Sequence, residues 1–125
     1  MSVRRYGPEA GASALPIARA VEANGWLYVS GQVPMAEDGL VTGSITVQAR
    51  QAVLNLLAVL TEAGYGPEHV VRCGVWLEDP RDFGAFNAVF REFFGNHPPA
   101  RSCVVSNMAV DCKVEIECIA YKDPA

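Results

Sequence analysis

Arg101, Glu115 and Glu117 are the residues of this 125-residue chain whose types and spacing could do chemistry together. Arginine presents a planar fork of N–H donors that matches a carboxylate through two parallel bonds, and it stays charged at any working pH, so it can hold a small acid in one orientation. Arg101 follows Pro98-Pro99-Ala100. Proline fixes its own φ and pushes the residue before it toward extended backbone, so the arginine is delivered from a stiff lead-in. Further on, Val114-Glu115-Ile116-Glu117-Cys118 alternates apolar and acidic residues. In a strand this puts Glu115 and Glu117 on one face, roughly 6 to 7 Å apart, with Val114, Ile116 and Cys118 on the other. An ordinary surface arginine and two surface glutamates on an edge strand fit the same pattern. The elements that would position these residues therefore matter.

Val3 to Tyr6 reads as a short opening strand, followed by a loop through Gly7, Pro8, Gly11 and Ala12. Ala18 to Glu22 is a second strand, and Asn24-Gly25 marks a hairpin, because both residues tolerate positive φ. Trp26 to Gln32 alternates, with large residues on both faces, so both faces should be covered. Gly31 late in that strand signals a bulge or the close approach of a ligand or another backbone. Glu37-Asp38-Gly39 is a polar turn. From Thr46 to Ala63 the period becomes helical, with Ala49, Val53, Leu56, Leu57 and Leu60 on one face and Gln48, Arg50, Gln51, Asn55 and Glu62 mostly opposite. Ser44 or Thr46 is the expected cap, and Gly64 suits the position just past the end. Val70 to Glu78 alternates as a strand, with Val71, Cys73, Val75 and Leu77 on one side. Asp79-Pro80 opens a second helix that runs to Phe94 and stops at Gly95. Phe83, Phe86, Phe90 and Phe93 form its expected core stripe, a burial of roughly 6 to 12 kcal/mol before entropy is subtracted. Two successive strand-helix-strand units imply parallel neighbours by crossover, with both helices on one face of a mixed sheet. The other face, carrying Tyr28, Trp76 and Ile119, is too apolar for a lone chain and should be covered by further copies.

Asn87 lies among the phenylalanines of the second helix. It either faces solvent on the helix flank or finds a partner in a cavity, since an unsatisfied buried amide costs about 1 to 3 kcal/mol. His69 and His97 have no second ligand at metal spacing, so capping or solvent roles are expected and no metal is implied. Cys73, Cys103, Cys112 and Cys118 contain no Cys-x-x-Cys pair and read as buried reduced thiols. Cys103 has no basic partner by spacing and is expected to line a pocket through its backbone. The formal charge is −4, and Lys and Arg form no cluster beyond Arg4-Arg5, which argues against a nucleic-acid partner. The first twenty residues lack a continuous apolar stretch, and no run approaches the roughly 20 residues needed to cross a bilayer. A cytoplasmic protein of one domain, residues 1–125, is expected.

Arg101-Ser102-Cys103-Val104, the closing Val-Glu-Ile-Glu-Cys-Ile-Ala-Tyr, the run Ser30-Gly31-Gln32-Val33-Pro34 and the helix with Asp82-Phe83 and Phe86-Asn87 together resemble the Rid family, the reactive intermediate deaminases also called YjgF proteins. The resemblance spans about Trp26 to Tyr121. It implies a chorismate-mutase-like α+β fold, a homotrimer with a barrel-like assembly, and clefts at subunit interfaces. It also implies hydrolysis of enamines and imines such as 2-aminoacrylate to 2-keto acids and ammonia, without a cofactor. Carried onto this chain, Arg101 would clamp the substrate carboxylate and Glu115 would activate water. Gly31, Cys103 and Asn87 would line or orient the site. Two departures stand out: Ile17 occupies the place of a tyrosine that many members carry, and the link between Cys103 and Glu115 is one residue shorter, which makes the choice of Glu115 over Glu117 a matter of where the gap falls. The competing readings are a non-catalytic binder of small carboxylates and an endoribonuclease, the latter disfavoured by the acidic balance.

Overall fold

Asn24 and Gly25 take φ values of 50° and 87°, the left-handed pair that a two-residue hairpin needs. They join β2 (Ala20–Ala23) to β3 (Trp26–Gln32). A side chain at Gly25 would run into the Lys122 carbonyl, and the Gly25 carbonyl itself accepts from the Tyr65 hydroxyl at 2.9 Å. The structure, a computed structural model, describes residues 2–7 and 15–125, so Pro8, Gly11 and Ala12 of the expected first loop lie outside the described residues. β1 (Val3–Tyr6) pairs antiparallel with β2. After a small hairpin of β4 (Met35–Ala36) and β5 (Gly39–Leu40) around the predicted polar turn come α1 (Ile45–Glu62), β6 (Val70–Leu77), α2 (Phe83–Phe94), β7 (Ala100–Val105) and β8 (Val114–Tyr121).

The six long strands form one mixed sheet in the order β1-β2-β3-β8-β6-β7. Only the second crossover unit has the expected form: β6, α2 and β7 give adjacent parallel strands, with Cys73 opposite Arg101 and Val75 opposite Cys103. The first does not, because β8 lies between β3 and β6 and is antiparallel to both. One strand thereby satisfies the backbone groups on the inner edges of both halves. Leu27, Val29, Cys73, Val75, Leu77, Ile116 and Cys118 share one core cluster with the buried faces of both helices. Among the described residues no helix is long and apolar enough to cross a membrane.

Ser44 Oγ accepts from the Val47 amide at 3.4 Å as the α1 cap, and Gly64 takes φ 85° past its end. Asp79 accepts from the Arg81 amide at 2.9 Å and starts a short turn of 3-10 helix, Pro80–Asp82, that leads into α2. His69 Nδ1 accepts from the Gly66 amide at 2.9 Å, a capping role.

Three faces differ from expectation. Gln48, expected on the polar side of α1, is buried, because its amide donates to the Gly43 carbonyl and accepts from the Lys113 amide, at 3.0 and 2.9 Å. Val71 is exposed, because the β6–β8 register slips between Val70 and Arg72 and turns it outward. Phe83 is 48% exposed and Phe94 takes its place in the core at 1%, since the 3-10 turn takes up Pro80–Asp82 and Phe83 stands at the junction, as the first residue of α2. Phe94→Ala should therefore cost about 3 to 5 kcal/mol in denaturant titrations, and Phe83→Ala no more than about 1 kcal/mol.

Candidate functional site

Arg101 is the second residue of the edge strand β7. Its register with buried Cys73 turns its side chain to the helix-covered face, toward α2. There one guanidinium nitrogen donates to Asn87 Oδ1 at 2.6 Å. The guanidinium carbon lies 5.7, 5.5 and 4.8 Å from the ring centres of Phe83, Phe86 and Phe90. These distances suit cation–π attraction, which helps hold a charged group against apolar surroundings. Asn87 is thus neither on the free flank of the helix nor unsatisfied; it fixes the angle of the arginine. Among the described residues Arg101 forms no ion pair, whereas Arg19, Arg50 and Arg81 each sit on a carboxylate. Beside it opens a cleft of about 410 Å³ whose lining includes Asn87, Phe90, Arg101 and the Pro98-Pro99 lead-in. A half-buried guanidinium, preorganised and with donors to spare, is built for an anion.

Glu115 and Glu117 share the other face of the sheet, opposite Trp76 and Gly74. The predicted bulge is present: between the pairs Val29–Cys118 and Gln32–Ile116, Ser30 and Gly31 face the single residue Glu117. Bulges redirect side chains beside sites. Here the bulge brings Gly31 against the Glu115 carboxyl, so that a Cβ at residue 31 would overlap Oε2. Burial, and then the neighbouring Glu117 charge, push the Glu115 carboxyl above its ordinary value, the direction that suits a group exchanging protons near neutral pH. The start of β8 is pinned from both sides, since the Lys113 amide donates to Gln48 and its carbonyl accepts from the Glu78 amide at 3.0 Å. Gly31→Ala should fold normally, because the atoms it displaces end a flexible side chain, and should lower turnover about tenfold by moving the carboxyl from its working geometry. Unchanged turnover in a steady-state assay would remove Gly31 from the site.

The remaining residues are distributed between these two places. Ser30 Oγ donates to the Ala18 carbonyl at 2.6 Å and tethers the segment containing Ile17 to the bulge; Ile17 itself is 59% exposed. Cys103 lies two residues after Arg101 in β7, half-buried against the core. Burial pushes its thiol up, with Arg101 only partly opposing, which leaves little thiolate for a nucleophile. Cys73, raised by burial to about 12, and Cys118, raised further by the same cause, are more inert still. Among the described residues no group of three acids, histidines or cysteines is placed to hold a metal.

Arg101 and Glu115 thus lie on opposite faces of one sheet and cannot meet within one chain. Reading the sequence alone missed the aromatic cradle, since a stripe of phenylalanines looks the same whether it packs on a sheet or on a guanidinium. It also missed Gln48, whose amide gives no periodic signal.

Comparison with known proteins places this architecture. The sequence family described as Endoribonuclease L-PSP matches residues 9–122. The mitochondrial protein mmf1 of Schizosaccharomyces pombe is 43% identical, over 88% of this chain and 70% of its own length. A RutC family protein of Pyrococcus horikoshii is 40% identical over 86% and 88%. The crystal structure of Escherichia coli TdcF with bound serine superposes with a TM-score of 0.83 at 30% identity, covering 89% of this chain and 91% of that one. With the family matched almost end to end, and relatives of this identity over most of their length, the chain belongs to the YjgF/RutC family, the Rid proteins.

Proposed function

We propose that this protein hydrolyses reactive enamines and imines of amino-acid origin to 2-keto acids and ammonia, in a site assembled between copies of the chain. The observation that carries the reading is the Arg101 guanidinium, held by Asn87 and three aromatic rings and left without a carboxylate partner. A relative that binds serine, a small amino acid, supports a carboxylate as the ligand.

The chemistry follows from the groups present. The enamine tautomerises to the imine, whose carboxylate pairs with Arg101. Glu115 takes a proton from water as the oxygen adds to the C=N carbon and passes it to the nitrogen, which gives the neutral carbinolamine. Glu115 then takes the hydroxyl proton as the carbonyl forms and delivers it to the nitrogen as the C–N bond breaks, and ammonia leaves. One water is consumed and no electrons change hands. General acid–base help of this kind is worth on the order of 10² to 10⁴ in rate. The raised proton affinity of Glu115 favours the return step.

The two residues face opposite ways, so the site requires the bare face of one copy to approach the β7 edge of another. Tyr28 and Val104 on that bare face are each 50% exposed, and Trp26 is 41% exposed, surface that a second copy would cover. A homotrimer of one-domain, chorismate-mutase-like subunits meets this need with a ring of equivalent interfaces. Cytoplasmic placement belongs to the same proposal, although two yeast relatives are named as mitochondrial.

The test couples a pyridoxal-phosphate dehydratase that releases 2-aminoacrylate from serine to this protein and times keto-acid appearance. Acceleration proportional to protein concentration is expected. Saturable binding of small keto acids with no acceleration for any enamine or imine would make the protein a binder instead. The family description as an endoribonuclease supplies a second reading. RNA cleavage that co-purifies with the protein and is lost in Arg101→Ala would favour it.

A further inference from the structure

The cleft beside Arg101 does not end there. Arg91, one helical turn beyond Asn87 on α2, lines the same cleft, together with Phe90, Phe94 and the Gly95, Pro98 and Pro99 segment that follows the helix. Neither arginine has an ion-pair partner among the described residues, and no acid lines the cleft. Arg91 also stands in the last turn of α2, where a cation complements the negative end of the helix. That role needs no cavity, yet here Arg91 lines one; a side chain at Gly95 would meet the Arg91 carbonyl first, at 2.5 Å, and then its Cγ at 3.1 Å, so glycine at this position keeps both the helix end and the arginine stem uncrowded. About 410 Å³ is far more than a three-carbon acid fills. The space suits a longer ligand with an anionic group at each end and an apolar middle resting on phenylalanine.

We infer that Arg91 is a specificity residue for a second carboxylate, and that the preferred ligands are dicarboxylic imino acids and their dicarboxylic keto-acid products. The inference rests on the carboxylate-binding reading of Arg101 but not on turnover. Each carboxylate would pair with one guanidinium, and removal of the distal one would leave Arg91 solvated in an otherwise unchanged cleft.

The test compares two ligands of equal chain length, 2-oxoglutarate and 2-oxopentanoate, which differ in the distal carboxylate. Their binding to the intact protein is measured by calorimetry in the parent, Arg91→Gln and Arg91→Lys. In the parent, 2-oxoglutarate should bind at least tenfold more tightly. That ratio should fall to about one in Arg91→Gln and be partly retained in Arg91→Lys. A parental ratio near one, or a ratio that survives Arg91→Gln, overturns the assignment. Hydrolysis of the imines made by oxidase action on glutamate and norvaline is followed in parallel. If neither imine is hydrolysed but the affinity ratio behaves as described, the deaminase reading falls and the role of Arg91 stands.

Discussion

If the proposed shared site is right, mixing inactive Arg101→Ala chains with inactive Glu115→Gln chains should restore activity. Each variant alone lacks half of every site: the first loses the charge-assisted bonds to the carboxylate, a loss on the order of 10² to 10³ in kcat/KM, and the second loses the proton carrier. The guanidinium points to the helix-covered face beside Asn87, whereas the Glu115 carboxyl lies on the bare face beside Gly31. A site that draws one group from each of two copies is intact wherever an Arg101-bearing chain meets a neighbour that keeps Glu115. In a random equal mixture of a symmetric ring that is about one site in four, so roughly a quarter of parental turnover returns after co-refolding. A site contained within one chain would give no recovery at any mixing ratio. Activity titrated against the fraction of one variant should rise to a maximum at equal amounts and vanish at both ends, a shape that contamination by parental protein does not produce.

Glu115→Gln separates chemistry from stability. Turnover should fall by about 10² to 10⁴ while the fold becomes more stable near neutral pH. Burial and the Glu117 charge hold the native pKa of Glu115 above its unfolded value, so the native state keeps this proton longer than the unfolded chain does. Stability therefore declines as pH rises from the unfolded value through the native one, and the full penalty remains above it. Glutamine carries no charge to desolvate. Thermal melts should place the variant above the parent at neutral pH, with the gap closing below pH ~4, where the glutamate is protonated in both states. In activity, the parent should lose turnover as pH falls through the raised Glu115 pKa. A variant that melts lower than the parent at neutral pH would show that Glu115 makes a stabilising contact instead of bearing a burial penalty.

Much of this was legible in the residues because local chemistry decided it. Asn24-Gly25, the Asp79-Pro80 start, Gly64 and the alternation of β8 each have one sterically favoured reading, and the structure follows them. Gly31 signals either a bulge or a close approach, and the structure has the bulge together with the Glu115 carboxyl beside it. What could not be read was partnership across the sequence. The place of β8 between β3 and β6 depends on which edges are left open once the helices have packed, and no window of sequence contains that information. Phe83 and Phe94 exchange roles because the 3-10 turn leaves Phe83 at the junction with α2, a matter of where the helix begins and not of its period. Gln48 was assigned to solvent by polarity, but one amide with two backbone partners is stable inside. Arg91 gives no signal in the sequence because a cation near a helix end already has a reason to be there.

The position of β8 has a consequence for how the chain comes together. Among the described strands it comes latest in the chain, yet it sits inside the sheet between β3 and β6. Until residues 114–121 arrive, β1 to β3 and β6 to β7 are two half-sheets whose facing edges have no backbone partner and whose helices share an unfinished floor. Such long-range pairing is slow. The nascent protein is thus exposed to edge-to-edge mispairing until β8 has been made, and removal of residues 114–125 would take the keystone from the arch.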